Sequence, residues 1–503
     1  MKPAHLKVLW NFLASASRCP VCPNFPPWFK FGVGTSSYQI EGAWNVSDKG
    51  LSIYDVFTHE NSGAIKDNST GDVACDSYHL WKRDVEMAAE MGLNFYRFSI
   101  SWPRLLPKGY DYYISKDGVE YYNNLINGLL SCGIEPLVTL YHWDLPEIFQ
   151  ELGGWTNPLI ADWFADYARV VFSLFGDRVK TWITINEPIV VCDVPYNTGI
   201  LAPGIIEKHM GAFLCTKHVL LAHAKAWRIY DEDFKPIFGG KVSISNHVVW
   251  YEPQAPGNEM LFYFQFYLFQ VGRFSHAIYS KRGGWNPALK LLVAASSQKM
   301  GYRESRLPPF TDYEINLIRG TYDFYALNYY TGVQVRPANP GEKIKNGLSP
   351  GLSSEFKFAQ RFNHFCRKKL FTASLPIYPK GLRNMFNWLK ANYGNIEMVV
   401  TENGFSTQGS DLNDTGRITY IRNHLEQILL AIHKDRVKVT GYTHWSLMDN
   451  FEWADGYTTK YGLYEVNFTD PNRTRTPRAS AKYYTSLIKR RQLDLYIVKY
   501  EYV

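Results

Sequence analysis

The sequence predicts a single α/β domain, a (β/α)8 barrel of the TIM type with extended rim loops. Three observations predict it. Eight apolar or β-branched runs recur along the 503 residues, helical patterns fall between them, and no low-complexity linker interrupts the alternation. Two of the runs end in a glutamate followed within two residues by a chain breaker. These are Thr184-Ile185-Asn186-Glu187-Pro188 and Val400-Thr401-Glu402-Asn403-Gly404. In such a barrel the C-terminal ends of the strands form the rim where chemistry is done.

The expected strands are 29–38, 93–102, 134–143, 179–187, 241–251, 323–330, 396–402 and 437–445. Most are dense in apolar or β-branched residues, as strands covered on both faces should be. Helices are expected over 117–131, with Val119, Tyr122, Leu125, Leu129 and Leu130 on one side, and over 158–175, opening on Pro158. Two more fall at 382–393 and 415–433. The connection 332–374 is too long for a turn and reads as a rim loop that shapes a pocket.

Composition narrows the classes further. The chain is 46% hydrophobic, enough for a large core, and carries a net charge of only +7. No basic run is dense enough for nucleic acid, and Lys489-Arg490-Arg491 reads as a solvated face. The seven cysteines are scattered. Cys19 and Cys22 form a C-x-x-C without a second pair, and His79, His142, His218 and His223 form no metal box. No metal and no cofactor are expected. No apolar run beyond the N-terminus is long enough to cross a bilayer. Residues 1–24 read as a signal peptide and leader, 25–490 as the barrel and 491–503 as a short tail. Asn45, Asn68, Asn413, Asn467 and Asn472 each begin an N-x-Ser/Thr sequon. The expectation is a secreted glycoprotein, with the cytoplasm as the alternative.

Polar and aromatic residues gather at every strand end but the fifth. Gln39 and Glu41 follow the first strand, and Arg97 lies in the second. His142, Trp143 and Asp144 end the third, and Asn186 and Glu187 the fourth. Asn328 and Tyr330 end the sixth, Glu402 and Asn403 the seventh, and Trp445 the eighth, with Glu452 and Trp453 just beyond. This set meets the needs of glycosidic cleavage. One carboxyl must hold a proton for the leaving oxygen while the other is ionised and attacks. Arg97 could keep a glutamate ionised and Tyr330 could orient it. Gln39, His142, Asn186 and Glu452 could bond sugar hydroxyls, and Trp445 and Trp453 offer flat faces to a pyranose. An unperturbed glutamate titrates near ~4.3, and the charge of the ionised glutamate should raise the protonated one above that, which gives an activity optimum of roughly 5 to 6.5.

Further segments complete the pattern. They are Phe31-Gly32-Val33-Gly34-Thr35-Ser36-Ser37-Tyr38-Gln39-Ile40-Glu41-Gly42, then Tyr96-Arg97-Phe98-Ser99-Ile100-Ser101-Trp102, then Asp449-Asn450-Phe451-Glu452-Trp453. In this order, with the two glutamate motifs, the chain resembles glycoside hydrolase family 1. The type is a β-glucosidase, either an animal digestive or defensive enzyme or a myrosinase-like member. The similarity runs from about Phe25 to Leu487.

The resemblance implies a β-glucosidase that retains anomeric configuration, with Glu187 as general acid/base and Glu402 as nucleophile. It implies that Arg97, Asn186, Asn328 and Tyr330 surround the nucleophile and the sugar 2-hydroxyl. Gln39, His142, Trp445, Glu452 and Trp453 would grip the non-reducing sugar, and Glu452 implies an unphosphorylated one. β-Galactosides, β-fucosides and thioglucosides stay open as substrates. The partner expected is a small glycoside or oligosaccharide, with no nucleic acid and no membrane span, and a homodimer is allowed. One departure is Ser374, where many relatives carry a tryptophan on the aglycone side. Phe356, Phe358, Phe362 and Phe365 could supply another platform. The rival readings are a klotho-like binding protein and a transglycosidase on the same scaffold. The presence of both glutamates speaks against the first.

Overall fold

The structure is a computed structural model that describes residues 23–255, 271–337, 358–361 and 377–494. The eight expected strands form. They are β1 (Lys30–Gly34), β2 (Phe95–Ser99), β3 (Glu135–Tyr141), β4 (Thr181–Asn186), β5 (Lys241–Pro253), β6 (Tyr325–Pro337), β7 (Met398–Asn403) and β8 (Val439–Trp445). Each pairs in parallel with the next, and β8 pairs with β1, so the sheet closes on itself. After each strand comes a covering helix. In order these are α1 (Ser77–Met91), α2 (Lys116–Ser131), α3 (Ile160–Phe175), α4 (Gly211–Ile229), α5 (Val271–Tyr279), α6 (Pro379–Tyr393), α7 (Thr415–His433) and α8 (Ala479–Arg490).

Several boundaries differ from expectation, three of them with a visible cause. The first run leaves the sheet after Gly34, and Ser37–Ile40 turns into a short helix whose Ser37 N–H donates to Ser99 Oγ at 2.7 Å. Helix α3 starts at Ile160, not Pro158. A turn closed by Leu159 N on Asn157 Oδ1 at 2.9 Å holds Pro158 ahead of it. Strand β6 continues to Pro337, so the expected rim loop begins as sheet, paired with the short antiparallel strand Phe358–Arg361. Ser374, Phe356, Phe362, Phe365, Cys19, Cys22 and the expected leader up to residue 22 lie outside the described residues, as does the tail from residue 495.

The barrel interior is layered, and the layering positions the site. Phe95, Leu137, Ile183, Phe324 and Ala326, with Val399 against them, form an apolar plug. Gly32 is required beside it, because a Cβ there would lie 2.4 Å from the Phe95 ring. Alternate strand residues face the same side. Two residues beyond Phe95, Leu137, Ala326 and Val399 come Arg97, Thr139, Asn328 and Thr401, all buried. The plug excludes water below, and this polar layer is the floor of the catalytic rim.

Candidate active site

The buried guanidinium of Arg97 organises this floor. Its Nη1 donates to Glu402 Oε1 at 2.5 Å and to the Thr401 carbonyl at 3.0 Å. Nη2 donates to Asn186 Oδ1 at 2.8 Å and Nε to Thr139 Oγ1 at 3.2 Å. Arginine donates only and keeps its charge, so these bonds fix their neighbours. The Asn186 oxygen faces Arg97, which leaves its amide nitrogen to donate to His142 Nε2 at 3.0 Å. His142 is therefore neutral with its proton on Nδ1. Burial, reinforced by the charge of Arg97, holds its pKa well below the usual imidazole value.

Asn328 is oriented in the same way. Its Oδ1 accepts from Ser245 Oγ at 2.9 Å and from Thr401 Oγ1 at 2.7 Å. Its Nδ2 then donates to Asn186 Oδ1 at 3.0 Å and to Glu187 Oε1 at 2.8 Å. The two glutamates are thus joined through Arg97, Asn186 and Asn328, but in unequal company. Glu402 receives a guanidinium and, on Oε2, the Tyr330 hydroxyl at 2.7 Å. Among the described residues the Glu187 carboxyl receives one neutral amide.

Burial pushes the carboxyls of both Glu187 and Glu402 up to about 7. For Glu402 this rise is opposed by Arg97 and by the Arg97 and Tyr330 hydrogen bonds, and supported by the charge of Glu187. The pair titrates together. Its single proton belongs on Glu187, since the strong donors favour the anion at Glu402. Glu187 also has a left-handed backbone, with φ of +50°, at the junction of β4 and the helix Pro188–Thr198.

The opposite wall is aromatic. The His142 ring stacks on Trp445 at 5.6 Å and 19° and on Trp453 at 6.1 Å and 13°. Trp143 packs on Trp453 at 4.4 Å and donates from Nε1 to the Asn186 carbonyl at 3.0 Å. Gln39 Nε2 donates to Asn450 Oδ1 at 2.9 Å, to the Phe451 carbonyl at 2.8 Å and weakly to Glu452 Oε2 at 3.5 Å. Burial, with Asp455, Glu402 and Glu187 adding to it, pushes Glu452 up to about 8. Among the described residues no group of three or more His, Cys, Asp or Glu is placed to hold a metal ion.

The model for glycosyl hydrolase family 1 matches residues 22–493 of the chain. The chain belongs to glycosyl hydrolase family 1. It is 43% identical to Myrosinase 1 of Brevicoryne brassicae over 467 residues, covering 92% of this chain and 98% of the relative. It is 38% identical to the cytosolic beta-glucosidase of Homo sapiens over 476 residues, covering 94% of this chain and all of the relative (100%). The solved structure of aphid myrosinase superimposes with a TM-score of 0.87 at 42% identity, covering 93% of this chain and 99% of that one. As a family 1 enzyme of β-glucosidase type, the chain is a retaining β-glycoside hydrolase.

The eleven site residues expected from the sequence lie on the rim or in the layer beneath it. Glu41, noted with them, turns away. It pairs with Arg104 Nε at 2.7 Å and accepts from Tyr122 Oη at 2.7 Å. Several contributors to this family 1 site were missed. Ser245 and Thr401 orient Asn328, although the fifth strand carried no visible signal. Asn403, noted at its strand end without a role, ties the rim together by donating to the Tyr329 carbonyl at 2.6 Å and accepting from Tyr442 Oη at 2.9 Å. Trp143 was noted only as a neighbour of His142, yet it backs Trp453.

Proposed function

We propose that Glu402 is the nucleophile and Glu187 the general acid/base in a double displacement on unphosphorylated β-glucosides. One observation carries the assignment. Glu402 accepts from Arg97 and Tyr330, whereas among the described residues the Glu187 carboxyl accepts only from the Asn328 amide. In the first step the Glu402 carboxylate attacks the anomeric carbon while Glu187 gives its proton to the departing oxygen. In the second, Glu187 takes a proton from water as that water displaces Glu402 from the sugar. Gln39, His142, Asn186, Asn328 and Glu452 would hold the hydroxyls, and Trp445 and Trp453 would face the ring.

Kinetics on β-glucosides, β-galactosides, β-fucosides and a thioglucoside test this, with an alcohol acceptor added to measure transfer. The reading predicts hydrolysis with a β-glucoside among the best substrates. No turnover of any β-glycoside would reject it.

The location proposed is the secretory route. The disulfide between Cys192 and Cys215 supports it, because such bonds persist in oxidising compartments. The exposure of all five sequon asparagines supports it as well. Among the described residues no helix is long and apolar enough to cross a membrane. Removal of the first 24 or so residues and attachment of N-glycan, read by mass spectrometry of the protein made in animal cells, are the expected results. A homodimer belongs to the same proposal, and light scattering checks it.

A further inference from the structure

The helix Pro188–Thr198 is buried from Pro188 to Asn197, but its own sequence does little to stabilise it. It begins directly after Glu187, and its N-cap lacks a side-chain hydrogen bond. Ile189, Val190, Val191 and Val194 are β-branched, and Pro195 sits inside the helix, where a proline removes a backbone bond and crowds the preceding turn. Yet Glu187 is held in left-handed backbone at φ +50°, a conformation that a non-glycine residue keeps only when its surroundings impose it. On the strand side Glu187 N–H donates to the Ser245 carbonyl at 2.8 Å.

On the helix side two buried ties act on adjacent residues. Cys192 is disulfide-bonded to Cys215 of α4, and Asp193 accepts from Arg273 Nη2 of α5 at 2.7 Å. All four residues are buried.

We propose that the Cys192–Cys215 disulfide and the Asp193–Arg273 ion pair are the positioning elements of the acid/base, clamping its helix so that the Glu187 carboxyl stays aimed at the leaving group. This rests on the assignment of Glu187 made above. The disulfide then acts on proton transfer specifically, and an enzyme lacking it keeps its nucleophile.

The test is the double variant Cys192→Ala/Cys215→Ala, assayed on an alkyl β-glucoside and on 2,4-dinitrophenyl β-glucoside. A misplacement of about an ångström can cost about 100-fold. The kcat/KM for the alkyl glucoside should therefore fall by roughly ten- to a hundredfold. For the dinitrophenyl glucoside, whose leaving group needs no proton, kcat/KM should change by less than about threefold. Its kcat should drop and be restored by azide, which replaces water without needing a base. Equal losses on both substrates, or none on either, would overturn the proposal. Should the double variant not fold, Arg273→Lys carries the same test with the disulfide intact. Glu187→Gln supplies the reference pattern. A failure of that variant to discriminate between leaving groups would indict the role of Glu187 itself rather than the clamp.

Discussion

Glu187 and Glu402 are chemically identical side chains in one buried pocket, and only their donors separate them. Arg97 is fully buried and donor-only, so every hydrogen bond around it has a forced direction, down to the Nδ1 proton of His142. Burial places the Glu187 carboxyl at about 7. It keeps its proton below that pH and loses it above, so kcat/KM should fall as pH rises through about 7. The acid limb, from Glu402, should lie lower, because Arg97 and Tyr330 favour its anion. The optimum therefore lies between the two limbs, on the acid side of about 7. Glu187→Gln should abolish the alkaline limb and reduce rates on poor leaving groups far more than on activated aryl glucosides. Persistence of that limb would contradict the assignment. Glu452 should matter through binding. A buried group built to meet hydroxyls discriminates against their absence, so Glu452→Ala should lower kcat/KM for β-glucosides by more than roughly tenfold. The loss should be smaller for a substrate without the 6-hydroxyl.

The elements aim these residues through contacts that leave little room. Gly404 follows Asn403 because a Cβ there would lie 2.1 Å from the Trp445 carbonyl oxygen, so β7 and the end of β8 could not close together. The segment from Asp449 to Trp453 is anchored from below by Asp449, which accepts from Arg478 Nη1 at 2.9 Å and Nη2 at 2.7 Å, both side chains fully buried. Arg478→Met would leave that buried carboxylate its Gly462 and Val466 N–H donors but remove its paired charge, at a cost of roughly 3–5 kcal/mol. Denaturant unfolding should register the loss. KM for β-glucosides should rise as Gln39 and Asn450 lose register, and an unchanged KM in a folded variant would show that the anchor is structural only. These elements also mark how far the sequence could be read. All eight strands, and residues such as Arg97 and Glu402, were legible because strand periodicity and terminal position both leave a local trace. Ser245 was not, because a serine inside a continuous strand looks like any other and gains its role only beside Asn328 of the next strand. The inward order of Phe95 and Arg97 follows from alternation, but their neighbours in each layer come from the closure of the sheet.

At the scale of the molecule, closure is what makes a site from distant motifs. The ring is sealed where β8 meets β1, and α8 locks that seam, with Tyr484 Oη donating to the Gly32 carbonyl at 3.0 Å. The apolar plug and the fully buried network above it exclude water from the floor of the pocket, so the charges there act at low dielectric. In the proposed mechanism Glu402 forms a bond to the sugar and Glu187 then helps water to break it. A 2-deoxy-2-fluoro-β-glucosyl fluoride slows both steps, and slows release enough to let the adduct accumulate. Peptide mass spectrometry of the inactivated enzyme should find the fluoroglucosyl group on Glu402. An unmodified enzyme that still turns over, or an adduct on Glu187 or any other residue, would contradict the account.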